Sequence, residues 1–432
     1  MESKTEEIDG LLKRAKSGDV TLYARLGTLL FQAGRIDECG PWLEKAASAG
    51  DLPALNLYGL MHLNGIGVGL NFNQAIKLLE SAATAGLKEA SYTLAGMYAN
   101  GFGMDQDFQL AWRYLVQAGR RGHVPAYRAA GILLAAGGES PEVSLCLLRY
   151  AAKAGDGLAQ ACLAEYLGIV GGDGWVSEAS YWARLAMERN LPTAARSLVA
   201  LAAAPGSIAD AVGEMSWDEL ERSCPPQRNT RYAVRTVVPD IVFVADDVLP
   251  NLIRDYLINV AAPRLTPSNV VDPVTGNAVK NPVRSSHSMF FSPNMYDMVL
   301  GYVGNTIAAL AEVPIRHSEP LTVLRYGPGQ EYKPHMDYLV GSATGEQMDA
   351  RGGQRVVTAF VYLNDVEQGG ETEFPELKAI IKPARGRAVK FYNLDESGLP
   401  NPMTLHAGCP VVKGEKWLAT FWFRQRPFVW GN

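Results

Sequence analysis

Along the first two hundred residues, alanine and leucine return every three or four positions, as in "ALNLYGLMHL" at 54–63 and "NQAIKLLESAATAG" at 73–86. That period predicts amphipathic helices, each with one apolar stripe. The stretches end on a recurring phrase: "AASAGDLPA" closing at Ala54, "SAATAGLKEA" at Ala90, "GRRGHVPA" at Ala126 and "AAKAGDGLA" at Ala159. Its glycines, Gly50, Gly86, Gly122 and Gly155, are spaced by 36, 36 and 33 residues, with weaker copies at Gly18 and Asn190. Glycine or asparagine at that place suits a left-handed helix cap. About five helical pairs are expected.

Two of the units share an inner loop, "NGIGVGLNFNQA" at 64–75 and "NGFGMDQDFQLA" at 100–111. Because these glycines follow a helix and sit inside a repeat, a turn explains them better than a phosphate cradle. A repeat of 33 to 36 residues made of two antiparallel helices is an α-solenoid, in which each unit buries its apolar face against its neighbours. The pattern A-x-x-L-x-x-M-Y-x-x-G-x-G, then A-x-x-x-x-x-x-A-A-x-x-G, resembles the Sel1-like branch of the tetratricopeptide repeats, most clearly in the units starting near Ala54 and Ala90. The resemblance implies a concave face that binds proteins or peptides.

The periodicity fades in "LAAAPGSIADAVGEMSWDELERSCPPQRN", where prolines and glycine mark a linker at 205–230 with a short helix at Trp217–Arg222. Beyond it the pattern shortens. Two helices are expected at "LPNLIRDYLINVAA" and "PNMYDMVLGYVGNTIAALAEV", and then a series of β-rich stretches from Pro320: "LTVLRYG", "EYKPHMDYLV", "RVVTAFVYLND", "ETEFPEL", "GRAVKFYN", "MTLHAGCPV" and "KWLATFWFR". Glycine and proline punctuation at such intervals fits a double-sheet roll. The expected architecture is α+β and multidomain. An α-solenoid at 1–204 is followed by a linker at 205–230 and a double-stranded β-helix (jelly-roll) domain at 231–432.

Composition adds bounds. A chain of 432 residues is too long for one core. Hydrophobic residues at 47%, charged residues at 20% and a net charge of −5 describe a soluble globular protein without a general attraction to nucleic acid, so no nucleic-acid partner is expected. The start "MESKTEEIDG" is polar and acidic, and no apolar run reaches the ~18 residues of a membrane span, so a cytoplasmic protein with no membrane partner is expected. Five scattered cysteines without a C-x-x-C pair read as reduced thiols.

The candidate chemistry begins at "YKPHMDY". On a strand, His335 and Asp337 would project from the same face. Of the six histidines, His62 and His123 fall in the repeats and His287 and His317 precede the β-rich core, which leaves His406 as the natural third member. Two histidines and a carboxylate leave metal positions open, the arrangement of non-haem Fe(II) oxygenases. Ten residues on, Lys416 stands near Trp417 and Trp422, where an unpaired ammonium is costly and an anionic partner is expected. A zinc hydrolase uses the same ligand types but gives Lys416 no role.

Taken with those ligands, "RLTPSNVVDPVTGNAV", "VRSSHSMFF", "LTVLRYGPGQEYKPHMDY", "GGQRVVTAFVYLNDVEQGGETEFP", "GRAVKFYN" and "HAGCPVVKGEKWLATFWFR" resemble, in this order, the prolyl 4-hydroxylase family of Fe(II)/2-oxoglutarate oxygenases, over about residues 233 to 426. The resemblance implies that His335, Asp337 and His406 hold catalytic iron, that Lys416, Tyr326 and Thr372 bind 2-oxoglutarate, and that Tyr332, Arg355 and Trp422 line the peptide side. It also implies O2 as cosubstrate, ascorbate as reductant, and succinate and carbon dioxide as co-products. Asp337 points to hydroxylation, since related halogenases carry a small residue there. Met336 and the stretch "LVGSATGEQMDARGGQRVV" depart from the family's usual pattern. The expected function is hydroxylation of a prolyl residue in a peptide or protein, with the repeats recruiting substrate or a protein partner, as a helical-repeat domain precedes the catalytic one in animal collagen prolyl hydroxylases. A second reading is hydroxylation of a free or carrier-bound proline-like amino acid, and a third is an inactive scaffold.

Overall fold

The structure is a computed structural model that describes residues 2–138, 141–171, 175–194, 215–223, 232–268, 270–271, 278–279, 283–339 and 349–431. After α1 (Glu2–Lys16) come five helical pairs: α2 (Tyr23–Gln32) with α3 (Ile36–Ser48), α4 (Leu52–Asn64) with α5 (Phe72–Thr84), α6 (Lys88–Asn100) with α7 (Phe108–Arg120), α8 (Val124–Gly137) with α9 (Pro141–Lys153), and α10 (Gly157–Val170) with α11 (Trp175–Glu188). The recurring glycines do cap the second helices in the left-handed region, at φ 83°, 105°, 76° and 89° for Gly50, Gly86, Gly122 and Gly155, with Asn190 at 57°. At the N-termini of α4, α5, α7 and α10, Asp51, Asn71, Asp107 and Asp156 each accept a bond from the backbone N–H three residues on, satisfying one orphan donor of the first turn.

Helix α12 (Trp217–Arg222) fills the short-helix position expected in the linker, but it lies on the repeats. Trp112 Nε1 donates to Leu220 O at 2.7 Å, and the Trp217 ring covers Gly119, where a β-carbon would stand 2.1 Å from it. Residues 205–214 and 340–348, as well as Cys224, lie outside the described residues. Cys39, Cys146, Cys162 and Cys409 are free thiols, and no described helix is long and apolar enough to cross a membrane.

The second half is a double-stranded β-helix flanked by α13 (Asn251–Ala261) and α14 (Met298–Ala311). Its strands are β1 (Val234–Val238), β2 (Val242–Ala245), β3 (Thr266–Pro267), β4 (Val270–Val271), β5 (Ala278–Val279), β6 (His287–Phe290), β7 (Thr322–Tyr326), β8 (Tyr332–His335), β9 (Arg355–Tyr362), β10 (Gln368–Gly369), β11 (Thr372–Phe374), β12 (Ala379–Ile381), β13 (Ala388–Tyr392), β14 (His406–Gly408), β15 (Val411–Lys413) and β16 (Lys416–Arg424). An eight-stranded sheet runs β1-β2-β13-β9-β16-β7-β6-β3, and a four-stranded sheet runs β12-β11-β14-β8. Period-two alternation divides the large sheet between two cores. Along β16, Trp417, Ala419, Phe421 and Phe423 join the helices, while Lys416, Leu418, Thr420 and Trp422 face the pocket between the sheets.

From sequence, the inner face of the repeat array is expected to take a peptide or partner. In the structure the first helices of the pairs pack on the oxygenase half: α6 meets α14, α8 and α10 meet α13, and α4 meets the turn Pro293–Met295. One buried apolar cluster runs from Trp112 and Leu133 of the repeats through Ile253 and Tyr302 to Phe421, so the halves share a core. Approach is close because side chains are missing at the crossing: a β-carbon on Gly96 would lie 2.0 Å from Tyr296 O, and one on Gly301 would lie 2.7 Å from Ala99 Cβ. Asp297 pins the junction. Its carboxylate accepts from Leu300 N at 2.9 Å, from Tyr92 OH at 3.3 Å and from Tyr256 OH, and its backbone oxygen accepts from Asn100 Nδ2 at 3.0 Å.

This crossing yields a test. Alanine at position 96 improves helix propensity by about 1 kcal/mol, whereas overpacking a tight core contact costs about 1–3 kcal/mol. Gly96→Ala is therefore expected to lower the melting temperature of the full chain, and a rise on thermal denaturation would show that the crossing does not restrict the site.

Candidate active site

Strand register brings the distant residues together. In the small sheet β14 runs antiparallel to β8 with His406 opposite His335, and β11 places Thr372 opposite Gly408. In the large sheet β16 runs antiparallel to β7 with Lys416 opposite Tyr326. One pocket between the sheets is lined by His335, Asp337, His406, Lys416, Tyr326, Thr372, Tyr332 and Trp422. Eight of the nine residues singled out from sequence thus meet there, and the ninth, Arg355, stacks at 4.4 Å over the Trp422 ring.

His335, Asp337 and His406 form the candidate metal centre, with one donor atom from each lying within 4.8 Å of the others. Asp337 is not on the strand, as the alternation argument supposed. β8 ends at His335, and Asp337 follows in a bend that turns its carboxylate back toward both rings. His335 Nε2 and His406 Nε2 each stand 3.8 Å from an Asp337 oxygen, too far for a hydrogen bond between them. Each Nδ1 faces a backbone carbonyl, Lys333 O at 2.8 Å and Thr404 O at 3.0 Å. A carbonyl only accepts, so Nδ1 carries the proton and the Nε2 lone pair is left for a metal.

The electrostatics suit the same use. Burial, with the neighbouring His406 adding to it, lowers the His335 pKa to about 3, so the ring is neutral near pH 7. Burial pushes the Asp337 carboxyl up, but His406, His335, Arg355 and the Thr358 bond outweigh it and hold its pKa near about 2. A neutral imidazole at His335 and an ionised carboxylate at Asp337 are the protonation states that metal ligation requires. The residues therefore fit a divalent metal of the iron type.

Residues that the sequence reading passed over hold this centre in place. Thr358 Oγ1 donates to Asp337 Oδ2 at 2.7 Å and accepts from Asn393 Nδ2 at 3.0 Å. Arg355 donates to Asp337 O at 3.3 Å and grips Glu319 with two bonds of 2.6 and 2.7 Å. Arg284 lies 4.8 Å over the Tyr332 ring, which also stacks on His335 at 3.4 Å between centroids. A faint signal existed for Thr358, the one threonine in the apolar run "RVVTAFVY". Glu319 and Asn393 carried none. Met336 is half-buried between the two ligand candidates, and nothing in the structure explains its departure from an aromatic.

Lys416 is 1% exposed, lies 4.4 Å from the Tyr326 ring, and forms no ion pair with a described residue. Burial lowers its pKa to about 8, opposed weakly by Cys409 and Glu371. The Thr372 hydroxyl bonds Tyr362 OH at 2.6 Å. Gly408 leaves room beside the ammonium, since a β-carbon there would stand 3.2 Å from Nζ.

Comparison with known proteins agrees in both halves. Residues 321–424 match the sequence model of the 2OG-Fe(II) oxygenase superfamily, and residues 42–51, 52–87 and 88–123 match the Sel1 repeat. Prolyl 4-hydroxylase 1 of Arabidopsis thaliana is 38% identical over 213 residues, covering 46% of this chain and 73% of that protein. The chain belongs to the prolyl 4-hydroxylase family. Among solved structures, the 2OG complex of the viral collagen prolyl hydroxylase from Paramecium Bursaria Chlorella virus-1 is 30% identical and covers 43% of this chain and 96% of its own, with a TM-score of 0.33. A Sel1 repeat protein from Oxalobacter formigenes is 24% identical over 45% of this chain and 89% of its own, with a TM-score of 0.39. Membership makes this an Fe(II)- and 2-oxoglutarate-dependent oxygenase joined to Sel1 repeats.

For this prolyl 4-hydroxylase family member, the Thr358 bond offers a direct test. Outer partners that orient metal ligands are commonly worth 10–100-fold in affinity. Thr358→Val keeps the shape but removes the bond to Asp337 and is expected to weaken Fe(II) binding by about that factor, read by metal titration with the melting curve as a control. Unchanged metal affinity would remove Thr358 from the site.

Proposed function

We propose that this protein hydroxylates a prolyl residue within a peptide or protein, with iron on His335, Asp337 and His406 and the far carboxylate of 2-oxoglutarate on Lys416. When bound, iron and cosubstrate supply oxidative decarboxylation of 2-oxoglutarate to succinate and carbon dioxide, coupled to hydroxylation of a C–H bond. The chain's own part is to bind, orient and exclude water. Lys416 offers a buried positive charge opposite Tyr326, and the Thr372 hydroxyl, held by its bond to Tyr362 OH, lines the same pocket. Tyr332, held between His335 and Arg284, lines the pocket beside the iron ligands, where a prolyl residue would lie. Trp422 Nε1 and Arg284 Nη2, both on pocket-lining residues, are buried donors without a described partner, the kind of group that peptide carbonyls satisfy.

The observation that carries a peptidyl over a free amino-acid substrate is the charge of the wall. Asp337 is the one acid among the described pocket-lining residues, and in this reading the metal takes it. A free imino acid would bring an ammonium with no carboxylate left to meet it, whereas a prolyl residue in a chain brings none. The repeats, with their first helices committed to the oxygenase half, would recruit a substrate or partner through their remaining surface.

Two measurements test this. Incubated with Fe(II), 2-oxoglutarate, ascorbate and proline-rich peptides, the full chain is expected to add about 16 Da to a peptide and to release succinate, while His406→Ala does neither. Succinate no higher than that control with every peptide would overturn the reading, and equal turnover of free proline would favour the small-molecule alternative. In the second, Lys416 binds the cosubstrate carboxylate only as the ammonium. With its pKa near about 8, the KM for 2-oxoglutarate should rise as pH is taken from about 7 to about 9. The same shift has the opposite effect on the unliganded fold: the lowered pKa penalises folding below about 8, and stability is regained as pH rises toward the usual lysine range. A flat KM profile would exclude Lys416 as the anchor.

A further inference from the structure

A cavity of about 400 Å³ lies away from the iron pocket, at the seam of the two halves. Phe72 and Phe102 come from the repeats, Tyr296 and Phe421 from the oxygenase half, and Phe428 and Trp430 from the C-terminal segment. The rings are ordered: Phe72 and Phe102 stack at 5.3 Å, and Trp430 stands edge-on to Phe102 at 5.2 Å. The loop "NGFGMDQ", whose glycines no catalytic role absorbs, forms one rim. Gly103 sits at φ 76° with its α-carbon against Phe72, where a β-carbon would lie 2.5 Å from Phe72 Cβ. A second lobe of about 370 Å³ continues past Met104 and Arg316.

Its size, its aromatic walls and its place between domains are those of small-molecule sites. The polar groups narrow the class. Ser318 Oγ is bonded to Glu319 O, and Asn100 Nδ2 to Gly96 O and Asp297 O. The Glu319 carboxylate is taken by Arg355 and lies 2.6 Å from Arg424 Nε. Of the charged residues lining the first lobe, that leaves Arg316, which both lobes share. Its side chain is 59% exposed, and its one described ion-pair partner, Asp105, is 94% exposed at 3.3 Å. Such a pair contributes little and yields easily to another anion.

We propose that this seam cavity binds a planar aromatic carboxylate, with its rings laid against the wall that Phe102, Tyr296 and Trp430 form by packing edge-to-face on one another, and its carboxylate on Arg316. The site is separate from the iron pocket, because β16 stands between them with Phe421 on one side and Trp422 on the other. It does not depend on which substrate the iron pocket takes. Calorimetric titration of the full chain with 2-naphthoate is the test, with 2-naphthamide as the uncharged analogue. Saturable binding is expected, about tenfold weaker for the amide and for Arg316→Gln, and unchanged by saturating 2-oxoglutarate. Met104→Trp, which fills the junction of the lobes, is expected to abolish it, with melting curves checking that both variants fold. No saturable heat up to about 1 mM, equal binding of acid and amide, or displacement by 2-oxoglutarate would overturn the assignment.

Discussion

A carboxylate buried between two imidazoles is the demand around which the oxygenase half is built. Asp337 is 6% exposed yet remains ionised, and an isolated charge at that depth would be expensive. The chain meets the demand with hydrogen bonds and polarity. Thr358 donates to one oxygen, Arg355 holds the backbone of the same residue, and each imidazole presents a nitrogen whose proton has been drawn to the far side by a carbonyl. None of these groups neutralises the carboxylate by direct ion pairing, which leaves a net attraction for a cation at the centre. Structure and chemistry coincide here because the groups that make burial tolerable also fix the direction in which the oxygens point.

The large sheet carries that arrangement outward. Strand β16 sends alternate residues to opposite sides, so the wall that faces the metal centre and the wall that faces the helices are made by the same nine residues. Behind the helices stand the repeats, and their contact is a shared core with the Asp297 network at its centre. Two supposedly independent modules are thereby one folded body over much of their contact. The small residues of the repeat helices serve packing within each pair and, at Gly96, packing between the halves.

Much of this was legible in the sequence, for reasons that differ between halves. The solenoid was readable because a repeat multiplies a weak signal: one glycine after a helix means little, but four at near-constant spacing fix the period and hence the pairs. The metal candidates were readable because only His406 remained to complete the "HMD" stretch, and Lys416 followed at a telling distance. The position of Asp337 on a strand was not, since alternation assumes a strand that continues, and the chain bends after His335. Glu319, Asn393 and the packing of the repeats' first helices on the oxygenase half were out of reach because each depends on contacts between segments remote in sequence. A periodic pattern shows which side of a helix is buried, not what buries it.

The shared core has a consequence for the order of synthesis. Helix α6 and helix α8 leave the ribosome long before α14, which starts at Met298, roughly two hundred residues after α6 begins. Until then the glycine and alanine face that will receive the second half stands bare to the cell. During translation the repeats are an open receptor, and the nascent chain closes it itself. Any factor that handles this protein at birth meets a surface that the finished molecule never displays.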